Sequence, residues 1–334
     1  MTIQRIHRAS TLIRNRDWHE LSRRLQRRFR RLSPDARVAT YWDDARYSEG
    51  KALLGRYWWE VPGMAERWNR MVTGDPHLDH YRDVAQRYLA PRQARIALTL
   101  GCGSGHNERK WAAEHRFDVH DAIDISMASI AEAKSLAAHE GLPQLRYTVG
   151  DLNHLTLTPA HYDVIFAEHS LHHVAALEHL MAQVSQALKP GGLLIVDEFV
   201  GPSRFQWTDR QLTAITGTLS ILPESLRRSR TQEGVLKRTV PRPTIKQMLE
   251  IDPSEAVRSA EIPALLRQHT HVLEWRPYGG ALLHLLLEDI AGNFSLDDDQ
   301  AMAWRDWCFD LEDRLMQSGE LDTDFVFAIC QLPE

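Results

Sequence analysis

The segment TLGCGSGHN, at residues 99–107, follows a short apolar run and opens a stretch with helical periodicity. Its glycines, Gly101, Gly103 and Gly105, permit a sharp turn in which the backbone approaches a ligand closely. The free N–H groups at the start of the following helix favour a polar or anionic group there. The spacing is GxGxG and not the GxGxxG of dinucleotide-binding turns, so it disfavours a pyrophosphate ligand without excluding one.

The residues around this turn alternate short apolar runs with helical stretches, which is typical of a parallel sheet covered on both faces. We predict five strands in this part of the chain, at 94–100, 119–125, 145–151, 162–168 and 192–199, and two more at 270–278 and 325–332. The predicted fold class is therefore α/β, a doubly wound, mostly parallel seven-stranded sheet with helices on both faces. Helical inserts are expected after the fifth and sixth strands.

The chain divides into four predicted segments. Residues 1–33 are predicted to form a basic amphipathic helix, because apolar residues from Trp18 to Leu32 recur at helical spacing among arginines that only Asp17 and Glu20 oppose. Residues 34–93 form a helical cap that contributes to substrate binding, 94–200 form the cofactor-binding core, and 201–334 complete the sheet and the substrate pocket. The basic helix either docks on the body with a solvated basic face or contacts an anionic membrane surface or a phosphorylated partner. Nucleic acid is a further alternative, although no base-reading motif is present.

Composition narrows the function classes. The chain has 334 residues, a formal net charge of −5 and 43% hydrophobic residues, which is ordinary for a globular protein and gives no general reason to expect nucleic acid as a partner. Cys102, Cys308 and Cys330 are far apart, so we expect neither a disulfide framework nor a thiolate zinc site. No apolar run approaches the roughly 20 residues of a membrane span, and no signal peptide is recognisable. We expect a cytoplasmic protein, with peripheral membrane contact as the alternative that the basic helix offers.

Asp124 ends the second predicted strand, about twenty residues after the glycine turn. A carboxylate at this position can accept hydrogen bonds from both hydroxyls of a ribose. This arrangement occurs in nicotinamide sites and in adenosylmethionine sites alike, so the two cofactors stay open on these residues alone.

Five segments in order, LGCGSGHN, DAIDIS, VGDLN, YDVIFAEHSLHHV and ALKPGGLLIVDE, resemble class I S-adenosylmethionine-dependent methyltransferases. The resemblance covers residues 94–200 and extends more loosely to the final strands. The KPGG turn and the HSLHHV stretch are its more specific parts. The segments DEFVGPSRFQWTD and PYGGALLHLLLEDIAGNF are similar to a bacterial subgroup associated with surface-polysaccharide biosynthesis.

The resemblance implies S-adenosyl-L-methionine as cofactor and assigns roles by position. It implies cofactor-binding residues at Gly101, Cys102, Gly103, Gly105, Asp124, Ile125, Asp151, Leu152, Glu168, His169 and Ser170. The first four line the methionine part, Asp124 holds the ribose, and Asp151 and Leu152 meet the adenine. Many members of the family carry an acid two residues before the first glycine, where this chain has Thr99, so Thr99, water or an N-terminal residue has to substitute.

The expected activity is methyl transfer to a hydroxyl of a polar small molecule or sugar, with N- or C-methylation of another acceptor as the alternative. For the general base we predict His173 and Glu198, with His172 and His169 behind them, because the carboxyl edge of the sheet is where open α/β folds bind ligands. The predicted substrate-binding residues mix aromatic and polar groups: Tyr57, Trp58, His172, Arg204, Trp207, Tyr278 and Asn293.

Rival functions make different demands on the sequence. We predict no metal, because the histidines at 169, 172 and 173 lack a companion cluster at ligand spacing. The stretch AEHSLHH is not the Asn/Asp-Pro-Pro-aromatic motif of DNA adenine methyltransferases, and it lacks the cysteine that cytosine-C5 enzymes need. A nicotinamide oxidoreductase and a non-catalytic cofactor-binding subunit that regulates a partner are the remaining alternatives.

Overall fold

The computed structural model describes Val38 and residues 55–332. The basic helix predicted for residues 1–33 lies outside the described residues, and so does most of the front of the segment at 34–93. Among the described helices, none combines the length and the apolar character that crossing a bilayer demands.

The sheet has seven strands, as predicted. They are β1 (Ile96–Leu100), β2 (Val119–Asp124), β3 (Leu145–Val149), β4 (Tyr162–Glu168), β5 (Leu188–Phe199), β6 (His271–Gly279) and β7 (Phe325–Gln331). Their spatial order is β3-β2-β1-β4-β5-β7-β6. β1 to β5 are parallel, and β7 lies antiparallel to both β5 and β6. The doubly wound, mostly parallel α/β fold is confirmed, and β5 begins at Leu188, earlier than predicted.

Eleven helices accompany the strands in the described part of the chain, and short 3-10 turns connect several of them. They are α1 (Met64–Thr73), α2 (His80–Val84), α3 (Ala90–Arg92), α4 (His106–Glu114), α5 (Met127–His139), α6 (Leu177–Ala187), α7 (Asp209–Ile221), α8 (Ile245–Ile251), α9 (Ile262–His269), α10 (Leu283–Leu287) and α11 (Asp299–Gln317). A π-helical turn at Ala85–Leu89 joins α2 to α3. The insert predicted after the fifth strand begins with two helices, α7 and α8, and Thr208 and Thr244 each begin one of them with a capping box.

Alternation along the strands gives the sheet two apolar faces. Phe166, Ile195 and Phe327 point to one face, and their sequence neighbours Ile165 and Leu194 point to the other. Each such fully buried large side chain stabilises the fold by about 1.5–3 kcal/mol. The sheet is therefore rigid where its carboxyl edge presents polar side chains.

A buried ion pair joins α1 to α11. Arg67 of α1 donates to Asp313 Oδ1 at 2.6 Å and to Glu312 Oε2 at 3.1 Å, both on α11. Glu312 is fully buried and also accepts the backbone N–H groups of Gly280 and Leu282 at 3.0 and 2.9 Å. Glu312 thus joins α1, α11 and the chain after β6 into one wall above the carboxyl edge.

Candidate active site

The glycine turn has left-handed backbone at all three glycines, with φ of +74° at Gly101, +52° at Gly103 and +74° at Gly105. A Cβ at Gly101 would lie 2.4 Å from Ser170 Cβ, so β4 and the turn can approach only because no side chain is there. A Cβ at Gly103 would meet no atom within 4 Å. The first glycine is required by packing, whereas the second faces open space.

Asp124, at the end of β2, is attached to this turn. Its Oδ2 accepts the Gly103 N–H at 2.8 Å, and its Oδ1 accepts the Ser126 N–H at 2.8 Å. The N–H groups of Gly101 and Cys102 donate to the Ile123 carbonyl at 2.8 and 3.0 Å. These hydrogen bonds fix the position of the Asp124 carboxylate relative to the turn, and both lie beside one cavity.

A cavity of about 220 Å³ lies between the turn and the ends of β2, β3 and β4. It is lined by Val38, Gly101, Gly103, Asp124, Ile125, Ser129, Asp151, Leu152, Asn153, His169, Ser170, His173 and Val174. Most of the predicted cofactor-binding residues are therefore brought together here. We call this opening the glycine-turn cavity.

Three predicted cofactor residues do not line the glycine-turn cavity. Cys102 is buried, and a side chain at Gly105 would meet the Tyr147 hydroxyl at 2.4 Å. Glu168 is also buried and accepts a hydrogen bond from Trp111 Nε1 at 3.0 Å. Cys102 and Gly105 thus belong to the turn, and Glu168 belongs to the end of β4, without lining the cavity.

A buried carboxyl group, that of Glu108, belongs to the helix that follows the turn, although Thr99 stands where many family members have an acid. Thr99 Oγ1 lies 2.8 Å from Nε2 of His120, and both residues are buried. Burial lowers the pKa of His120 to about 3, so its ring is neutral. Glu108, in the first turn of α4, is fully buried, and burial raises the pKa of its carboxyl to about 8. The turn thus has a buried carboxyl group in α4 and none at position 99.

Asp151, after β3, is held by its own loop. Burial alone would raise its pKa, but hydrogen bonds from Asn153 and His154 outweigh burial and hold the pKa below its usual value. Asn153 Oδ1 in turn accepts the N–H groups of Ala175 and Ala176 at 2.9 and 3.0 Å. The quoted VGDLN segment contains this asparagine, which links the loop after β3 to the start of α6, but its role was not predicted.

A larger cavity, of about 820 Å³, adjoins the first. It is lined by Trp58, Trp59, Ala65, Trp68, Asn69, Val72, Asp79, His80, Tyr81, Lys110, His169, His172, His173, Asp197, Phe199, Phe205, Glu255, Tyr278, His284, Phe325 and Phe327. His169 and His173 line both cavities. We call this second opening the aromatic cavity, since rings form most of its wall.

His169 stands at the junction of the two cavities in a left-handed backbone conformation, with φ of +53°. Its Nε2 lies 3.7 Å from Asp197 Oδ2, and Asp197 Oδ1 accepts the Tyr278 hydroxyl at 2.6 Å. Burial and the Asp197 charge raise the pKa of Tyr278 well above its usual value, so the phenol stays a donor. A strained residue with a carboxylate behind it is a common feature of functional sites.

Glu198 is fully buried and does not line either cavity. Its carboxylate accepts the N–H groups of Ser170 and Leu171, at 2.9 and 2.6 Å, and contacts Nδ1 of His172. Burial alone would lower the pKa of His172, but the carboxylates of Glu198 and Glu255 outweigh it and raise the pKa to about 9. The sequence-based proposal of Glu198 as a base in contact with substrate therefore needs His172 as an intermediary.

His173 and Glu255 face each other across the floor of the aromatic cavity. Glu255 Oε1 lies 3.6 Å from His172 Nε2. Ser254 Oγ lies 3.3 Å from His173 Nδ1, and Arg204 donates to the carbonyls of Pro253 and Glu255, at 2.5 and 3.3 Å. Burial and the neighbouring His172 lower the pKa of His173 well below its usual value.

Trp58, His172 and Tyr278 line the aromatic cavity among the predicted substrate-binding residues. Tyr57, Arg204, Trp207 and Asn293 do not. The Tyr57 ring stacks on Trp59 and the Trp207 ring on Phe205, while Asn293 donates to the carbonyls of Leu226 and Arg228 and Arg204 holds the loop at Glu255. These four residues shape the surroundings and do not face the cavity.

Several lining residues were missed from the sequence, and only some had a signal. Asp197 precedes Glu198 in the same strand, and period-two alternation puts the two on opposite faces of the sheet. His80 begins α2 after a Gly-Asp-Pro break and carries no motif. Glu255 lies in an irregular stretch between α8 and α9, so nothing local indicates that it meets the histidines.

The sheet order, with β7 antiparallel between β5 and β6, and the glycine turn with an acid at the end of β2 define a Rossmann-like methyltransferase fold. Residues 98–196 match the family described as "Methyltransferase domain". This part of the chain is therefore a class I, S-adenosylmethionine-dependent methyltransferase domain, and the family predicted from the sequence is confirmed.

Curated relatives match part of the chain. The O-methyltransferase cnsE of Penicillium expansum is 30% identical over 44% of this chain and 53% of its own length. The trans-aconitate 2-methyltransferase of Delftia acidovorans is 33% identical over 31% of this chain and 38% of its own length. The phosphoethanolamine N-methyltransferase 2 of Haemonchus contortus, solved with S-adenosyl-L-methionine, is 16% identical with a TM-score of 0.45, covering 78% of this chain and 61% of its own. The chain thus spans about half, or less, of the two curated relatives.

Proposed function

We propose that the protein transfers a methyl group from S-adenosylmethionine to a hydroxyl of a polar small molecule or sugar. The observation that carries this proposal is that the glycine-turn cavity and the aromatic cavity meet at His169 and His173. One cavity suits a nucleoside with an amino-acid tail, and the other is large enough for a separate acceptor. Methyl transfer between two bound molecules requires two such openings in contact.

The residues of the glycine-turn cavity fit the cofactor. Gly103 offers backbone with open space where a side chain would otherwise stand. Asp124 offers carboxylate oxygens for ribose hydroxyls, and Ile125, Asp151 and Leu152 are proposed to surround the adenine. Ser170 and His169 lie on the β4 side, where the methionine part is expected. S-adenosylmethionine supplies, when bound, a methyl group on a sulfonium that is already reactive toward nucleophiles.

The chain's own residues then have to position the acceptor and accept its proton. His169 and His173 are the candidates for the base, because both line both cavities. The His169 backbone N–H donates to the Asp197 carbonyl at 2.7 Å, which holds the two residues side by side, and the Asp197 oxygen that is not bonded to Tyr278 lies 3.7 Å from the His169 ring. Glu198 is proposed as a positioning residue for His172 and not as the base itself.

The walls of the aromatic cavity support a sugar-like acceptor. Trp58, Trp68 and Tyr278 provide flat apolar surface. Asp197 and Glu255, which line the same cavity, provide acceptors for hydroxyl groups. Binding sites for polar small molecules combine such surfaces with a few convergent polar groups. An acceptor from surface-polysaccharide biosynthesis is consistent with this wall and with the sequence resemblance of the segments after β5 and β6.

The test is a methyl-transfer assay on the full chain with labelled S-adenosylmethionine and separate pools of sugar nucleotides, free glycosides and small amines. We expect label in a sugar pool, with one S-adenosylhomocysteine formed for each methyl transferred, and loss of transfer in Asp124→Ala. NMR of the product distinguishes an O-methyl from an N-methyl group. Cofactor binding without turnover on any pool would favour the non-catalytic, regulatory alternative.

A further inference from the structure

We propose that His172, His173 and Glu255 bind a divalent transition-metal ion in the floor of the aromatic cavity. One ligand atom of each residue lies within 4.8 Å of the others. Imidazole nitrogens with a carboxylate oxygen are ligands that Zn²⁺, Fe²⁺ and Co²⁺ accept. Three protein ligands at the edge of an open cavity leave coordination positions for a further molecule, as catalytic metal sites do.

The hydrogen bonds of His172 fit a ligand role. A metal-bound histidine usually donates its other ring N–H to a carboxylate, which fixes the ring and raises its basicity. Glu198 contacts His172 Nδ1 and is fully buried, so Nε2 is the nitrogen that points toward the cavity. His172 Nε2 lies 3.6 Å from Glu255 Oε1, close to the roughly 3.4 Å that separates two ligand atoms of one tetrahedral ion.

The loop that carries Glu255 is built to hold this position. Arg204 donates to the carbonyls of Pro253 and Glu255, at 2.5 and 3.3 Å, so the backbone on each side of Ser254 is fixed. The Val257 N–H donates to the His172 carbonyl at 2.9 Å. The Glu255 side chain keeps 24% of its surface exposed, whereas that of Glu198 keeps none. The partly exposed Glu255 is thus the carboxylate available to an ion that enters through the cavity.

The sequence could not suggest this site. His172 and His173 are adjacent, and a metal site needs a third ligand from elsewhere in the chain. Ser254, next to Glu255, is 81 residues from His173. The expectation of no metal therefore rested on local spacing, which does not reach this residue.

The ion has a place in the proposed function. This role rests on the proposed function: an oxygen of the acceptor occupies an open coordination position of the ion, and the acceptor hydroxyl is thereby held beside the glycine-turn cavity. With His173 as a ligand, His169 is left as the residue shared by both cavities that accepts the proton. The metal site itself does not depend on this role, and it is tested without cofactor or acceptor.

The test is calorimetric titration of the full chain, stripped with a chelator, with Co²⁺ and Zn²⁺ alone. We expect one ion per chain and, for Co²⁺, the visible absorption bands of a low-coordinate site. Glu255→Gln and His173→Gln should each weaken binding by at least about tenfold to a hundredfold, the loss expected when only a hydrogen-bond partner of a metal ligand is removed. The matched controls Glu224→Gln and His77→Gln, at exposed positions that do not line the cavity, should bind the ion as the unaltered protein does.

Unaltered stoichiometric binding in Glu255→Gln, or no binding by the stripped protein, would overturn the proposal and leave His172 as part of a carboxylate–histidine–carboxylate chain. S-adenosylhomocysteine affinity, measured on the same Glu255→Gln sample, reports whether the fold and the glycine-turn cavity are intact. Metal binding without methyl transfer on any acceptor pool would count against the proposed function alone. Methyl transfer by a protein that binds no ion would count against the metal site alone.

Discussion

The glycine-turn cavity and the aromatic cavity adjoin each other, yet they are built in different ways. The first consists mainly of backbone and short loops at the ends of β1 to β4, all between residues 101 and 174 apart from Val38. The second consists of side chains from segments spread between Trp58 and Phe327. The glycine-turn cavity thus depends on local geometry, whereas the aromatic cavity depends on side chains brought together from distant parts of the chain.

The largest effect on the free energy of unfolding is expected from a substitution that removes the contact between the two regions. Glu198→Ala leaves the N–H groups of Ser170 and Leu171 without their acceptor and removes the carboxylate that contacts His172 Nδ1. We expect the free energy of unfolding to fall by about 3–5 kcal/mol, as when one partner of a buried ion pair is removed. Urea denaturation measures this loss. Glu224→Ala, at an exposed position, is the control, and an equal effect of both variants would contradict the assigned contacts.

A slightly smaller effect is expected on the cofactor side. Gly101→Ala puts a Cβ 2.4 Å from Ser170 Cβ in a left-handed conformation, whereas Gly74→Ala has left-handed backbone with nothing within 4 Å. Overpacking and backbone strain together should cost about 2–4 kcal/mol at Gly101, and strain alone about 1–2 kcal/mol at Gly74. Thermal unfolding of both variants compares them. Similar losses at the two sites would show that Ser170 does not restrict the turn.

Gly103→Ala sharpens the distinction between stability and binding. A Cβ at this position meets no protein atom but projects beside the glycine-turn cavity, so unfolding should change by only about 1–2 kcal/mol. S-adenosylhomocysteine affinity should nevertheless fall by at least about tenfold, which is about 1.4 kcal/mol. Calorimetry on the folded variant measures this. Unchanged affinity would remove Gly103 from the cofactor site.

Over a single pH unit, the smallest effect is a pH dependence of stability from Glu108 beneath the glycine turn. Its carboxyl stays protonated in the folded protein up to about pH 8, while in the unfolded chain it ionises near its ordinary pKa of 4.5. The folded state binds one more proton in this window, so stability is present at low pH and is lost as pH rises. The slope from this group is at most about 1.4 kcal/mol per pH unit.

Glu108→Gln should remove that slope. Subtracting the unfolding free energies of the variant and the unaltered protein at each pH cancels the other groups that titrate, His120 and Asp324 among them. The difference should narrow as pH falls from about 8 to about 5. A difference independent of pH would mean that Glu108 is ionised throughout.

The sequence predicted the glycine-turn side better than the aromatic side, for a physical reason. Gly101, Gly103 and Asp124 act through backbone geometry that a short segment determines, so their spacing predicted their place. Glu198 was correctly placed at the end of β5, but the sequence does not show that His172 stands between it and the cavity. Glu255 comes from an irregular loop, whose position only the packed structure gives.

The assignment of substrate residues shows the same limit. Trp58 and Tyr278 line the aromatic cavity, whereas Arg204 and Asn293 turn toward neighbouring carbonyls. Residue type alone does not distinguish a polar side chain that meets a ligand from one that satisfies the backbone of a loop. That distinction depends on packing between segments far apart in the chain.

The central claim is that the glycine turn and Asp124 together bind S-adenosylmethionine. Its most direct test is calorimetric titration of S-adenosylhomocysteine into the unaltered protein, Asp124→Ala and the exposed control Asp297→Ala. We predict binding to the unaltered protein and the control, and a loss of about 1–3 kcal/mol of binding free energy in Asp124→Ala. Equal affinity in all three proteins, or no binding to the unaltered one, would contradict the claim.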